Sequence, residues 1–406
     1  MTISTAAVAA SAPPTRFPLQ ALLILSFGVL VTVTAESLPA GLMPEMSADL
    51  SVPPMQIGLL ISVWALTVII TSIPLARATA RWDRRLVIGV ALAAFALANV
   101  ATAFAPAYGF AVAARVAAAT AHGVFWAVVI VYASALLTPS HLGRGLAIVT
   151  AGGTAATVAG LPLATVLAQA WGWRVTFVVL GAVALGIGIV VMKGMPRHVP
   201  PAPVAGGRDR GFWRDPSLPA LAAFGVASIL IAIAQFASFT YIRPYLEVSA
   251  SVEAEWAAAL LFVYGAAGMV GVVAAGFLAD RYPRASLNAI LALFVAVFVV
   301  LTVAASNLVA VIGALVVWGF AIGAMFPLLQ TTLMRVSTER TRTLASAGIV
   351  VLFNVGIAVG PWIGGLAGGD VTPTATTAVS ASAMLAAAVI GAIGVMLAGR
   401  RAQRDG

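Results

Sequence analysis

Cysteine is absent from the 406 residues, which excludes disulfides, thiolate metal sites and thiol catalysis. Histidine occurs three times, as His122, His141 and His198, too few and too scattered for a histidine metal cluster. Charge is scarce as well: 9% of the residues carry one, against about 25% in an ordinary soluble domain, while 62% are hydrophobic. Mean hydropathy reaches +1.06. Such a chain has too little polar surface to cover a water-soluble core of its size. Soluble enzymes, DNA-binding proteins and disordered scaffolds are therefore excluded. Lysine is rare too, since arginine supplies every basic charge except Lys193, a skew that hints at a GC-rich bacterial genome. The net charge of +9 would suggest nucleic acid on its own, so its placement has to be read.

What the chain does have is long apolar runs. A helix needs about 20 apolar residues to cross the hydrocarbon core of a bilayer. Runs near 19–42, 55–76, 86–105, 109–132, 145–168 and 174–192 predict six spans. Six more follow near 218–241, 256–279, 286–305, 308–332, 343–366 and 376–399, giving an all-α integral membrane protein of twelve spans. The first run is too long, and holds Glu36 too deep, for a cleaved signal peptide. With the amino terminus inside, 19 of the 22 basic residues fall on interior segments: Arg16; Arg77, Arg81, Arg84 and Arg85; Arg144; Lys193, Arg197, Arg208, Arg210 and Arg214; Arg281 and Arg284; Arg335, Arg340 and Arg342; Arg400, Arg401 and Arg404. The outer side keeps Arg243, with Arg174 at a span edge and Arg115 inside a span, while the outer loops hold Glu45, Asp49, Glu247, Glu253, Glu255 and Asp370. This is the positive-inside rule. The basic balance is topological, both termini are expected in the cytoplasm, and no nucleic-acid partner is expected.

A stretch rich in Pro, Gly and Arg at 193–217 reads as a mobile cytoplasmic linker. The expected organisation is a tail at 1–18, a six-helix bundle at 19–192, the linker, a second six-helix bundle at 218–399 and a tail at 400–406. The halves echo each other at an offset of about 200 residues. Arg144-Gly-Leu-Ala147 opens the fifth span and Arg342-Thr-Leu-Ala345 the eleventh. Ala121-His-Gly123 before Phe125-Trp126 matches Ala321-Ile-Gly323 before Met325-Phe326, and Gly160-Leu-Pro162 matches Gly360-Pro361. Parallel repeats of this kind build two pseudo-symmetric bundles with a substrate site between them.

Glu36-Ser-Leu-Pro-Ala-Gly-Leu-Met-Pro44, Arg115 with His122-Gly-Val-Phe-Trp126, Gly160-Leu-Pro162, Gly172-Trp-Arg174 and Ala237-Ser-Phe-Thr-Tyr241 together resemble the major facilitator superfamily. Within it the chain is similar to the drug:proton antiporter-1 group of bacterial chloramphenicol and sugar efflux proteins, over about 19 to 399. The loop signature of the superfamily stands in the second half as Gly276-Phe-Leu-Ala-Asp280-Arg281-Tyr-Pro-Arg284. In the first half Arg77 and Arg81 replace its glycine and aspartate, and Asp83 with Arg85 stands nearby as a substitute. The antiporter signature is loosened to Gly160-x-Pro162 in span five and is tight, as Gly360-Pro361 through Gly364-Gly365, in span eleven. These small residues and prolines serve either as flexing points or as plain close packing. The resemblance implies a bacterial cytoplasmic membrane protein that works as a monomer, without a cofactor, on the proton gradient.

Glu36 and Arg115 are the formally charged residues well inside spans, with His122 as titratable companion. A charge at mid-bilayer costs at least ~2.5–3.5 kcal/mol and needs a partner or a wet cavity. At ~1.5 Å rise per residue both lie roughly 8–9 Å toward the outer face, so they can meet or alternate between meeting and parting. Glu36 is the expected proton carrier, its proton affinity set by competition between burial and a nearby guanidinium. The alternative is a fixed Glu36–Arg115 ion pair joining spans one and four. His122 shares a helical stripe with Arg115 and Trp126, and either relays protons or is simply hydrogen-bonded. In the superfamily spans one, four, seven and ten line the cavity, which makes Trp126, Gln235, Phe239, Tyr241 and Phe326 expected substrate contacts. Asn354 is either a contact or interhelical glue. The expected function is proton-coupled efflux of small organic molecules such as drugs. Sugar or metabolite efflux, or uptake, is the alternative of the same fold; a channel or membrane enzyme is disfavoured because no metal cluster, nucleophile–base pair or phosphate loop occurs.

Overall fold

The computed structural model describes residues 17–138, 141–199, 215–282, 285–368 and 372–402. All regular structure among them is helical. In chain order the helices are α1 (Leu19–Gly41), the short α2 (Met43–Asp49), α3 (Pro54–Ala78), α4 (Arg84–Ala103), α5 (Tyr108–Ala135), α6 (Leu142–Ala155), α7 (Leu161–Trp171) and α8 (Trp173–Gly194). After the linker come α9 (Leu218–Phe239), the single turn α10 (Ile242–Pro244), α11 (Ala254–Arg281), α12 (Ser286–Val303), α13 (Leu308–Val336), α14 (Glu339–Leu366) and α15 (Thr374–Ala402). Among the described residues, 11 helices are long and apolar enough to cross a membrane, with α6 and α7 joined as one; α14 contributes a shorter apolar stretch, Val351–Leu366.

The helix boundaries follow local chemistry. Pro54 opens α3, where its missing N–H is no loss. Asp83 caps α4 by accepting from the Arg85 N–H, and Thr338 and Thr341 cap α14 reciprocally. Gly172, at φ +88°, turns the chain sharply between α7 and α8. One π-helical turn, Ala156–Gly160, connects α6 to α7. It stands immediately before Pro162, which has no N–H to return to the Val158 carbonyl, so the regular ladder is broken there.

Helices before the linker pack mostly on one another: α4 against α5 and α8, α3 against α5, and α1 against α6. Those after it do likewise, with α11 against α13, α9 between α14 and α15, and α12 against α13 and α15. The two sets meet where α3 lies along α14 and where α7 and the π turn lie along α11. Between helices in lipid there is little hydrophobic drive, so close backbone approach carries the packing. Gly356, Gly360 and Gly364 form one face of α14, where an added Cβ would press on the backbone of α9. Gly319 and Gly323 of α13 do the same against the carbonyls of Tyr264 and Gly268 in α11. Large apolar side chains such as Leu97, Phe277 and Val309 stand exposed on the outside of the bundle. That surface suits hydrocarbon as solvent.

Candidate functional site

Pro39 sits near the end of α1 and cannot donate an N–H to the Ala35 carbonyl one turn earlier. The oxygen so freed is taken by Arg115 of α5, whose Nη1 donates to Ala35 O at 2.9 Å. Its Nη2 donates to the adjacent Glu36 O at 3.2 Å. Arg115 is fully buried. The guanidinium thus grips the backbone of α1, not the Glu36 carboxylate. Glu36 instead turns its carboxylate toward His122, with 3.7 Å between Oε2 and Nε2, and its side chain keeps 17% exposure. The direct Glu36–Arg115 ion pair, the alternative reading of the sequence, is not the arrangement here: the guanidinium sits on the proline-freed carbonyl and the carboxylate faces His122.

Trp64 of α3 completes the cluster. The Arg115 guanidinium carbon lies 4.1 Å from its ring centroid, and the His122 ring meets it edge-on at 5.1 Å. Phe95 of α4 contacts the same indole at 6.3 Å. Trp126, one turn beyond His122, is half-buried with its ring 6.3 Å from the imidazole. Three buried nitrogens here have no hydrogen-bond partner: Arg115 Nε, His122 Nδ1 and Trp64 Nε1.

The expected contacts of the second half fall in two groups. Gln235 of α9 is buried, and its amide is committed to neighbours: Nε2 donates to the Tyr264 hydroxyl at 2.9 Å, and Trp318 Nε1 donates to Oε1 at 2.7 Å. Phe239 stacks on Tyr264 with ring centroids 5.4 Å apart, so Gln235 and Phe239 organise an internal box with α11 and α13. Phe326 and Asn354 are half-buried, and Phe326 meets Phe353 edge-on at 5.8 Å. Tyr241, expected inside span seven, lies past the end of α9 and is buried with its hydroxyl on the Pro361 carbonyl at 2.9 Å. Its ring tip faces Gly58 of α3, in the other set of helices.

At the linker end, Asp83 Oδ1 accepts from the His198 N–H at 3.1 Å and Arg85 Nη1 donates to Met195 O at 3.1 Å. Both side chains therefore hold the segment following α8. Gly160 packs against Thr34 of α1, with Pro162 buried beside it; Gly360 packs against Ile233 and Phe236 of α9, with Pro361 buried. Asp280 and Arg281 form the last turn of α11, where Arg281 is exposed; Arg284 lies outside the described residues.

The opposite end is tied shut. Arg243, read from the sequence as an outer-loop charge, is 1% exposed. Its Nη1 donates to Gly41 O at 2.9 Å, and its Nη2 lies 3.2 Å from Glu45 Oε1 and 2.7 Å from Glu247 Oε1. Gly41 and Glu45 belong to the first set of helices, so one guanidinium clasps both sets. Gln169 adds a tie by donating to Ala254 O at 2.7 Å. Trp64, Tyr264, Trp318 and this arginine clasp escaped the sequence reading; a tryptophan in the middle of an apolar run was the available signal for two of them.

Comparison with known proteins settles the family. The model described as Major Facilitator Superfamily matches residues 25–361 and 253–405. The chain belongs to the Major Facilitator Superfamily. It is a multi-pass membrane transporter, not an enzyme. As a superfamily member it is 32% identical to a chloramphenicol efflux pump of Mycobacterium tuberculosis over 351 residues, 84% of either chain. It is 27% identical to a probable sugar efflux transporter of Mannheimia succiniciproducens over 348 residues, 84% of this chain and 85% of that one. A solved structure of the nucleoside transporter NupG matches with TM-score 0.74 at 13% identity, covering 93% of this chain and 99% of that one, a likeness of fold.

Proposed function

We propose that this transporter exports small organic molecules from the bacterial cytoplasm in exchange for protons, as a monomer in the cytoplasmic membrane. Twelve spans form two six-helix bundles, 19–192 and 218–399, with both termini and the 193–217 linker in the cytoplasm. In this orientation the Arg243 clasp closes the outer end, and the described state faces inward. The observation that carries the reading is the placement of Glu36: a partly buried carboxylate beside His122, with the buried Arg115 engaged on backbone oxygens. A carboxylate free of a direct guanidinium partner is available to take a proton and give it up as the bundles rock. Arg115 stays fixed and supplies a standing positive potential; His122 shares the carboxylate's side of α5. The half-buried aromatic side chains Trp126, Phe326 and Phe353 suit an aromatic or amphipathic cargo, and the chloramphenicol efflux relative points the same way.

The test is Glu36→Gln in sealed vesicles carrying the purified protein. Uphill movement of radiolabelled chloramphenicol driven by a pH gradient should be lost, while the variant still inserts and still exchanges labelled for unlabelled compound at equal pH. Retained uphill transport would remove Glu36 from the mechanism. Transport of arabinose but not chloramphenicol by the wild type would assign the cargo to sugars.

A further inference from the structure

We propose that Trp64 is a positioning residue for proton coupling: its indole face holds Arg115 on the backbone of α1 and thereby keeps the Glu36 carboxylate free of the guanidinium. The proposal rests on Glu36 as proton carrier and adds a residue that no motif of the family resemblance contains.

First, Arg115 is held by two kinds of contact, the α1 carbonyls accepting at 2.9 and 3.2 Å and the Trp64 ring with its centroid 4.1 Å from the guanidinium carbon. A guanidinium over an indole is favoured most where water is excluded, and both residues are fully buried. Second, the carbonyls alone do not decide the position of the arginine. A carboxylate one residue along α1 is the stronger acceptor for a guanidinium fork. Something must make the backbone berth preferable, and the ring is the group that lies against the guanidinium there. Third, packing alone does not call for a tryptophan here. Its Nε1 is buried without a partner, so a purely apolar side chain would fill the space without stranding an N–H. What the indole contributes is its face. The same ring meets His122 edge-on at 5.1 Å, fixing the imidazole that faces Glu36.

Without the ring, Arg115 swings to the Glu36 carboxylate and the two charges lock. A locked carboxylate does not exchange protons with either side, while substrate exchange that needs no net proton movement continues. The titratable and charged groups facing Glu36 are Arg115 and His122, both on α5, so the outcome depends on a short list of side chains.

The experiment compares Trp64→Leu, Trp64→Phe and Glu36→Gln in the full-length protein reconstituted in vesicles, with radiolabelled chloramphenicol as probe in two modes. In the driven mode a pH gradient powers accumulation; in the exchange mode pH is equal on both sides. Trp64→Leu should lose at least tenfold in driven transport and stay within about twofold in exchange. Trp64→Phe, which keeps an aromatic face, should retain most of the driven rate. Loss of both modes in Trp64→Leu, or failure of Trp64→Phe to rescue, would assign Trp64 to folding and overturn the proposal. Full driven transport in Trp64→Leu alongside its loss in Glu36→Gln would overturn the proposal and leave the coupling role of Glu36 standing. Full driven transport in Glu36→Gln would instead overturn the reading on which the proposal rests.

Discussion

Arg243→Met removes the cation of the clasp while keeping a long side chain in its place. Two of its bonds cross between the helix sets, to Gly41 O at 2.9 Å and to Glu45 Oε1 at 3.2 Å. A hydrogen bond involving a charged group contributes about 1.5–3 kcal/mol. Glu45 keeps 26% exposure, so water competes for it and the pair together is worth roughly 2–4 kcal/mol. At about 1.4 kcal/mol per tenfold, the balance between closed and open at this end should move roughly 30- to 700-fold toward open. Two carboxylates left facing each other add to the push. The assay exploits the cysteine-free chain, since a single introduced thiol needs no background to be cleared. Ile61 of α3 is 2% exposed and packs in the core built mainly by the later helices, so Ile61→Cys reports the opening. Its labelling by a membrane-impermeant maleimide should accelerate at least tenfold in the Arg243→Met background. Arg174→Met, which breaks a pair to Asp49 within the first set, should leave the rate unchanged. An unaltered rate with Arg243→Met would refute the clasp as the tie that keeps this end closed.

Gly323→Ala should lower the thermal midpoint in detergent, because its Cβ is driven into the Gly268 backbone; overpacking of this kind costs roughly 1–3 kcal/mol. Gly313→Ala on the same helix, where nothing lies within 4 Å, should be neutral or stabilising and is the matched control. Gln235→Leu strands the Trp318 N–H and the Tyr264 hydroxyl in a dry box, a loss of about 1–3 kcal/mol measurable by the same melt. Asp83→Ala removes a helix cap worth about 1 kcal/mol and the hold on His198, so tryptic cleavage after the exposed Arg197 should accelerate.

Apolar run length made the helices legible, and the scarcity of charge made Glu36, Arg115 and His122 stand out. Depth along two helices placed these residues at one level, which is why they fall in one cluster. Their pairing was not legible, because it turns on a backbone oxygen that Pro39 frees at residue 35, and hydropathy does not register backbone acceptors. Trp64 and Trp318 read as ordinary apolar residues until the neighbours across the bundle are known. Gln235 shows the converse: a polar side chain in a span suggested a cargo contact, yet its amide is occupied by two side chains 29 and 83 residues away. The burial of Arg243 and Tyr241 was not legible for a single reason. After α9 the chain continues through the buried turn α10 and one π turn, where α10 meets α1 and α2, instead of running out into solvent, and the sequence carries no sign of that continuation.

Pro39 also shapes how α1 meets its neighbour. Most helices present each other with a sealed backbone, each mid-helix carbonyl already taken by the N–H one turn on. Here a single missing amide hydrogen leaves a socket, and α5 plugs it with a cation. Pulling the plug would strand a charge and a peptide oxygen together in an oily setting. Arg115 in its berth therefore joins α1 to α5 at this level.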